Sequence, residues 1–86
     1  MALKDDSAAF AEAFGAALRG EREKLGWSQE DLGFEAELDR TYISGIERGV
    51  RNPTLKTMQT LCRALGVVPS TLLHLAERQI RWHQDG

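Results

Sequence analysis

Hydrophobic residues recur along this chain at intervals of three and four, the spacing of an amphipathic helix, and strand-like alternation is absent from it. The first apolar stripe comprises Phe10, Phe14, Ala17, Leu18 and Leu25. Ser7 is placed to cap the start of this helix, and Gly26 is a typical stop signal after its end. The pattern predicts a first helix over residues 8–25.

A capping signal opens the second helix. Ser28 is suited to be an N-cap because an acid, Asp31, follows three positions later. Trp27 and Leu32 flank this cap at the spacing of a hydrophobic staple. We therefore expect a short helix over residues 29–36.

The same signal recurs at once. Asp39 is the predicted N-cap of a third helix, with Leu38 and Ile43 as its staple, and Gly49 should end that helix. Only Glu37 and its neighbours separate the second and third helices, so the chain must turn sharply there. Two short helices joined by a tight turn have the geometry of a helix-turn-helix, whose second helix lies in the DNA major groove.

A loop and a fourth helix follow. Pro53 disfavours helix at the residue before it, and Thr54 is then placed to cap the next helix. The buried stripe of this helix is predicted to be Leu55, Met58, Leu61, Cys62 and Leu65. Gly66 should end it.

Ser70 is the predicted cap of a fifth helix, which should run through His83. The chain is therefore predicted to be all-α, with five helices joined by short connections. We expect one domain over residues 1–86, with a core over about 8–76 and a C-terminal helical extension over 77–86.

Composition agrees with one small globular unit: 86 residues, 42% hydrophobic and 28% charged. The net charge of -2 is the wrong sign for a protein that holds nucleic acid by bulk charge. Any contact with nucleic acid must then come from a local surface whose shape fits the nucleic acid.

Signals for catalysis or metal binding are weak. Cys62 is the only cysteine, which excludes an internal disulfide and a cysteine-cluster metal site, and its helical spacing predicts a small buried hydrophobe. His74 and His83 are too isolated for a metal-ligand or catalytic pattern. We expect no enzyme activity, no metal, no cofactor and no small-molecule ligand.

The N-terminal residues MALKDDSAAF carry acids where a secretion signal would carry a basic region. No apolar run approaches the roughly 20 residues that a membrane span requires. These features predict a cytoplasmic protein with no membrane association.

The third helix has two unlike faces on a helical wheel. Ile43 and Ile46 point one way, and the opposite face is polar and low in profile. That polar face is predicted to hold Thr41, Ser44, Gly45 and Arg48, with Arg40 on its flank near the N-terminal end. An exposed glycine inside a helix costs about 1 kcal/mol relative to alanine. Gly45 is therefore interpreted as a point where the backbone approaches another surface closely.

This polar face suits a DNA groove. The guanidinium of Arg40 matches guanine O6 and N7, and Thr41 and Ser44 can reach bases or phosphates. The N-terminus of a helix also attracts phosphate through its free amides. The third helix is thus the candidate recognition helix.

The segments SQEDL and DRTYISGIERGVRNPTL, followed by a Leu-rich fourth helix, resemble the lambda-repressor-like, or Xre, family of helix-turn-helix regulators. The longer segment is especially similar to the small controller proteins of restriction-modification systems. The resemblance covers roughly Phe14 to Leu75 and implies a five-helix lambda-repressor-like DNA-binding domain with its helix-turn-helix at helices two and three. It also implies a transcriptional regulator that binds palindromic operator DNA sequence-specifically as a homodimer. The chain departs from the family pattern at Glu37, where the turn commonly has glycine, and at Gly33, where alanine is usual.

The resemblance also assigns residue roles. In this family the glutamine that opens helix two grips a phosphate, and here that residue is Gln29. Controller-like members make base contacts from the DRTYIS segment, with Tyr42 near the DNA backbone and a loop arginine, Arg51, reaching toward the DNA. The predicted DNA-binding residues are Gln29, Arg40, Thr41, Tyr42, Ser44, Arg48, Arg51 and Asn52.

Other interpretations stay open at this point. Gln29 can be an ordinary polar first-turn residue and Arg51 a solvated loop charge. Arg48 and Glu47 can pair with charges of the first helix, and Glu47 is assigned a structural role. A rival function is an antitoxin-like helical module that holds a protein partner. The acidic balance favours that rival, whereas the third helix lacks the aromatic or aliphatic anchors of a protein-binding face.

The C-terminal segment carries more apolar surface than one helix can place against so small a core. Part of it, with Val67, Leu72 and Leu75 as candidates, must pack inward, and the remainder is expected to form a homodimer interface. The predicted interface residues are Val68, Leu72, Leu73, Ala76 and Ile80. A two-fold dimer would set two recognition helices about 34 to 36 Å apart, one turn of DNA.

Overall fold

The computed structural model describes residues 7–80, and every regular element within that range is an α-helix. The helices are α1 (Ser7–Lys24), α2 (Gln29–Ala36), α3 (Arg40–Glu47), α4 (Leu55–Leu65) and α5 (Pro69–Gln79). The predicted five-helix, all-α architecture is confirmed. None of the helices in the described part of the chain is long and apolar enough to span a membrane.

The end of α1 shows the predicted glycine stop. Gly26 has a positive φ of 73°, and its N–H donates to the carbonyl of Glu23 at 2.9 Å. The apolar spacing predicted Leu25 to belong to the buried stripe, and this was wrong. The helix ends at Lys24, so the leucine lies in the turn and is 47% exposed.

Both caps of the helix-turn-helix form as predicted. The Ser28 hydroxyl accepts from the N–H of Asp31 at 3.0 Å, and the Asp31 carboxylate accepts from the N–H of Ser28 at 2.9 Å, which completes a capping box. The Asp39 carboxylate accepts from the N–H of Thr41 at 2.8 Å and so caps α3. These local bonds fix where each of the two helices begins.

The turn between α2 and α3 contains both departures from the family pattern and explains the one at Gly33. Glu37 adopts the left-handed conformation, with φ 58°, at the position where glycine is common. The N–H of Leu38 donates to the carbonyl of Gly33 at 2.9 Å. A Cβ on Gly33 would lie 2.7 Å from the Leu38 carbonyl oxygen, so this tight turn requires glycine there.

The predicted cap of α5 was wrong. Pro69 is the first helical residue and Val68 occupies the N-cap position, so Ser70 lies inside the first turn. Proline suits this place because its missing N–H would have no helical partner and its φ is already helical. The helix also ends earlier than predicted, since Ile80 is extended and packs against the core. The remainder of the predicted extension, including His83, lies outside the described residues.

The core is shared by all five helices. α1 packs along α5 and against α3, and α2 packs on both α3 and α4. The fully enclosed side chains are Leu18, Leu32, Ile43, Ile46, Leu61, Cys62 and Leu72. Cys62 is buried as predicted, and burial raises the pKa of its thiol, which keeps it protonated and unreactive.

Two predicted interface residues belong to this core instead. Leu72 and Ala76 are fully buried within the chain's own fold, because the side of α5 that carries both is covered by the chain itself. They cannot contact a second copy without opening the domain. Their assignment to a dimer interface is therefore wrong, whereas Val68 and Leu73 remain exposed.

Candidate nucleic-acid interface

A buried ion pair joins α1 to α3. Arg22 donates from Nε to Oε2 of Glu47 at 2.7 Å and from Nη2 to Oε1 at 2.9 Å, and the two side chains are only 9% and 3% exposed. The third guanidinium nitrogen, Nη1, donates to the carbonyl of Trp27 at 2.7 Å. The hydrogen bonds to Glu47 raise the pKa of Arg22, so the guanidinium stays charged. Glu47 is therefore structural, as predicted.

Gln29 joins the same network. Its Nε2 donates to Oε1 of Glu47 at 3.0 Å, and the side chain is half-buried. The amide is therefore held against α3, and its role toward phosphate stays a prediction.

Sequence reasoning missed Arg22 as the central residue of this network. The spacing in the sequence indicated that Arg22 is buried, because it follows Phe14 and Leu18 at four-residue intervals and so falls on the buried stripe of α1. A charge in such a position needs a buried partner.

The N-terminal turn of α3 presents Arg40. It is the first residue of the helix and its side chain is exposed. Thr41 is turned toward the cap, since its N–H and its hydroxyl both donate to Oδ1 of Asp39, at 2.8 and 2.7 Å. These hydrogen bonds lower the pKa of Asp39. The Thr41 hydroxyl proton is thus engaged, which leaves its oxygen as an acceptor.

The rest of the polar face differs from the helical-wheel prediction at Gly45. Ser44 and Arg48 lie one turn apart, and Nε of Arg48 approaches the Ser44 hydroxyl at 3.4 Å. Gly45, predicted to be open for close approach to another surface, is buried. The side chain of Arg51 covers it, because the loop after α3 folds back over the helix.

Arg51 also stacks on α3. Its guanidinium carbon lies 5.0 Å from the centre of the Tyr42 ring, the geometry of a cation–π contact. Asn52, the next residue, borders a different feature, an apolar groove between the N-terminal parts of α1 and α4 and residue Leu73 of α5. The loop thus separates Asn52 from the polar face of α3, and its predicted DNA contact has the least structural support.

The cations of α1 are paired, whereas those of the later elements within residues 7–80, including Lys56, Arg63 and Arg78, form no ion pair. On α1, Arg19 pairs with Glu23 and Lys24 pairs with Glu21, in addition to the buried pair of Arg22. Within residues 7–80, the three exposed arginines on or beside α3, Arg40, Arg48 and Arg51, form no ion pair. A row of unpaired cations on an acidic protein offers local attraction to phosphate.

Comparison with known proteins agrees with this arrangement. The helix-turn-helix family matches residues 18–73, which run from the middle of α1 into α5. The chain belongs to the helix-turn-helix family. The matched region includes every residue predicted to bind DNA and the Arg22–Glu47 pair.

Several relatives are control proteins. The chain is 54% identical to Control protein C.BamHI of Bacillus amyloliquefaciens over 50 residues, which are 58% of this chain and 62% of that protein. It is 44% identical over 52 residues to a hypothetical transcription factor of Neisseria meningitidis, 49% of whose length is matched. The chain thus spans about half to three-fifths of the length of these two relatives.

Solved structures of controller proteins superimpose on this chain. The restriction-modification controller protein C.AhdI of Aeromonas hydrophila superimposes with a TM-score of 0.71 at 44% identity, over 72% of this chain and 94% of that one. The controller protein C.Esp1396I, solved as a tetramer in complex with its natural 35 base-pair operator, superimposes with a TM-score of 0.74 at 33% identity, over 81% of this chain and 92% of that one. The lambda-repressor-like fold expected from the sequence is confirmed.

Proposed function

We propose that this protein is a cytoplasmic transcriptional regulator that binds double-stranded operator DNA sequence-specifically as a homodimer. The observation that carries the proposal is the row of exposed, unpaired arginines on and beside α3, in a chain whose net charge is -2. Three free arginines close together on and beside one helix attract a surface that carries negative charge. The major groove, with phosphates on both rims, is such a surface.

The residues of α3 have separate roles in this proposal. Arg40 stands at the leading end of the helix and has no ion pair among residues 7–80, so its two-pronged guanidinium is free to pair with guanine. Ser44 lies one turn further along and Arg48 one turn beyond Ser44, where they reach bases or phosphates. Gln29 supports α3 through its hydrogen bond to Glu47, and its phosphate contact would come from the start of α2.

The relatives support a controller protein of a restriction-modification system as the specific type. Both C.BamHI and C.AhdI are named as control or controller proteins, and the C.Esp1396I controller protein was solved on its operator. The segment from Asp39 to Leu55 carries the strongest resemblance to such proteins. We therefore favour this type over a more general repressor.

The proposed dimer uses the exposed apolar residues around the start of α4 and α5. Leu55, Val68 and Leu73 are 79%, 60% and 36% exposed. Leu55 and Leu73 also line a groove of about 300 Å³, together with Phe14 and Met58. Apolar surface of this kind usually marks association. A second copy is the proposed occupant, because the C.Esp1396I controller protein was solved as a tetramer on its operator.

One observation favours the rival function as a protein-binding module. Phe34 on α2 is 81% exposed, and it shares an open surface depression with Glu30, Glu35, Glu37 and Arg40. An exposed aromatic residue is the kind of anchor that protein interfaces use. A single aromatic side chain is nevertheless a weaker signal than three unpaired arginines on and beside the adjacent helix, so DNA binding remains the favoured function.

Selection of bound sequences from a random DNA pool tests the proposal. The expected result is enrichment of one two-fold-symmetric site. Enrichment of no common sequence, in protein shown by circular dichroism to be folded, would reject DNA recognition and leave the protein-binding module as the better account.

A further inference from the structure

Arg51 is held in one place by two residues of α3. A Cβ built on Gly45 would meet Cγ of Arg51, with Cβ and Cδ of the arginine at 3.4 and 3.5 Å. The aliphatic stem therefore lies flat across the glycine. The guanidinium then sits over the Tyr42 ring, 5.0 Å from its centre. The Arg51 side chain therefore runs back along α3 toward the N-terminal end of the helix, because Tyr42 precedes Gly45 by nearly one turn.

The backbone of the loop holds the same position. The N–H groups of Val50 and Arg51 both donate to the carbonyl of Gly45, at 2.9 and 3.2 Å. Gly45 is therefore contacted twice by the loop, through its carbonyl and through its α-carbon. Any larger residue would occupy the space that the Arg51 stem fills.

The charged end of Arg51 stays available despite this packing. Arg51 is an exposed residue, and within residues 7–80 its guanidinium forms no hydrogen bond or ion pair. One face rests on the tyrosine ring, and the N–H donors remain open. An arginine that is ordered but unpaired is prepared for an oxygen acceptor that arrives from outside.

We propose that Gly45 and Tyr42 are positioning residues that order Arg51 before DNA binds, so that its guanidinium extends the cationic face of α3 toward Arg40. The inference rests on the proposed DNA-binding function. Ordering the side chain in the free protein removes an entropic cost of binding, which corresponds to roughly two- to tenfold in affinity for one long side chain. Gly45 is then needed to hold the ordered side chain of Arg51, the Arg51 arm, and not for direct contact with DNA.

Nuclear magnetic resonance of the full chain tests the arm without DNA. The Arg51 methylene protons should be shifted upfield by the Tyr42 ring in the wild type and in Tyr42→Phe, which keeps an aromatic face. They should return toward random-coil values in Gly45→Ala and Tyr42→Leu. Gly20→Ala is the matched control, since Gly20 is also a helical glycine and a Cβ built on it meets nothing within 4 Å. Unshifted Arg51 protons in the wild type would overturn the proposal.

Binding to the site recovered by selection tests what the arm does. Gly45→Ala should weaken binding roughly two- to tenfold, Arg51→Ala should weaken it at least as much, and the double variant should be no weaker than Arg51→Ala alone. Arg51→Ala should reduce the slope of log affinity against log salt by about 1, because it removes one cation from the interface, whereas Gly45→Ala keeps that cation and should leave the slope nearly unchanged. Simple loss of folded protein in Arg51→Ala would leave that slope unchanged.

These experiments distinguish failure of the positioning role from failure of the proposed DNA-binding function. Sequence-specific binding that is intact in Gly45→Ala, or costs that add fully in the double variant, would overturn the positioning role while leaving the proposed function standing. Failure of the wild type to prefer any sequence would remove the proposed function, and the role of the arm with it.

Discussion

Glu47 on α3 accepts two hydrogen bonds from Arg22 on α1, at 2.7 and 2.9 Å, and both side chains are almost completely withdrawn from solvent. The pair fixes how α3 is rotated about its own axis against α1. With Glu47 held inward, Arg40, Ser44 and Arg48 keep their place on the outer side. The buried pair thus connects the stability of the domain to the presentation of its candidate DNA-binding face.

Replacing Glu47 by alanine should therefore be severely destabilising. It leaves the buried Arg22 without its carboxylate, a change that costs about 3 to 5 kcal/mol. Urea unfolding followed by circular dichroism measures this cost. Glu23→Ala is the control, because it breaks the exposed pair with Arg19 and should have little effect. Equal effects of the two substitutions would show that the buried pair does not stabilise the domain as described.

The left-handed residue in the turn gives a second prediction. Glu37→Gly should stabilise the domain by about 0.5 to 1 kcal/mol, because relief of the left-handed strain exceeds the entropy cost of glycine. Glu35→Gly, two residues earlier within α2, should instead destabilise by about 1 kcal/mol. Opposite shifts in the urea midpoint are expected, and a loss of stability in Glu37→Gly would contradict the strain argument.

Local signals in the sequence were sufficient to predict much of this fold. The caps at Ser28, Asp39 and Thr54 depend on residues within three positions of one another, and all three form. The glycine stops at Gly26 and Gly66 have the same local character. Such features are decided before tertiary packing, so a single sequence is enough to find them.

Features that depend on distant parts of the chain were not predicted. The spacing of Leu72 and Ala76 places them on one stripe of α5, but it cannot say that the fold itself covers that stripe. Gly45 had the pattern of an exposed residue, and only the return of the loop brings Arg51 over it. In both cases the partner is set by tertiary structure, which helical periodicity does not contain.

The cap of α3 predicts a pH dependence. Hydrogen bonds from Thr41 lower the pKa of Asp39 below its ordinary value of 3.8, so the ionised cap stabilises the fold above that value. This contribution is lost as the pH falls through 3.8 toward the lower pKa of the folded state. Asp39→Asn keeps a capping oxygen but removes the titration. The melting temperature of the wild type should exceed that of the variant more at pH 7 than at pH 3, and a constant difference would refute the assignment.

The dimer gives a prediction about assembly. Leu73→Glu or Leu55→Glu should shift the protein toward monomer, because each places a charge in the exposed apolar groove. Leu25→Glu changes an exposed leucine in the turn after α1, so it serves as control and should leave assembly unchanged. Sedimentation equilibrium at micromolar concentration measures the effect. A wild-type protein that is monomeric under these conditions, or variants that assemble as well as it does, would show that the second copy binds elsewhere.

Recognition of DNA by α3 is tested most directly by selection from a random DNA pool, carried out in parallel with wild-type protein and Arg40→Ala. The wild type should recover a two-fold-symmetric site, and the variant should recover the same site with the preference relaxed at one base pair in each half. Arg40→Ala should also weaken binding to the wild-type site by about 1 to 3 kcal/mol. Recovery of no common sequence by the wild type, or of an identical site with unchanged preference by the variant, would contradict recognition of DNA by the leading arginine of α3.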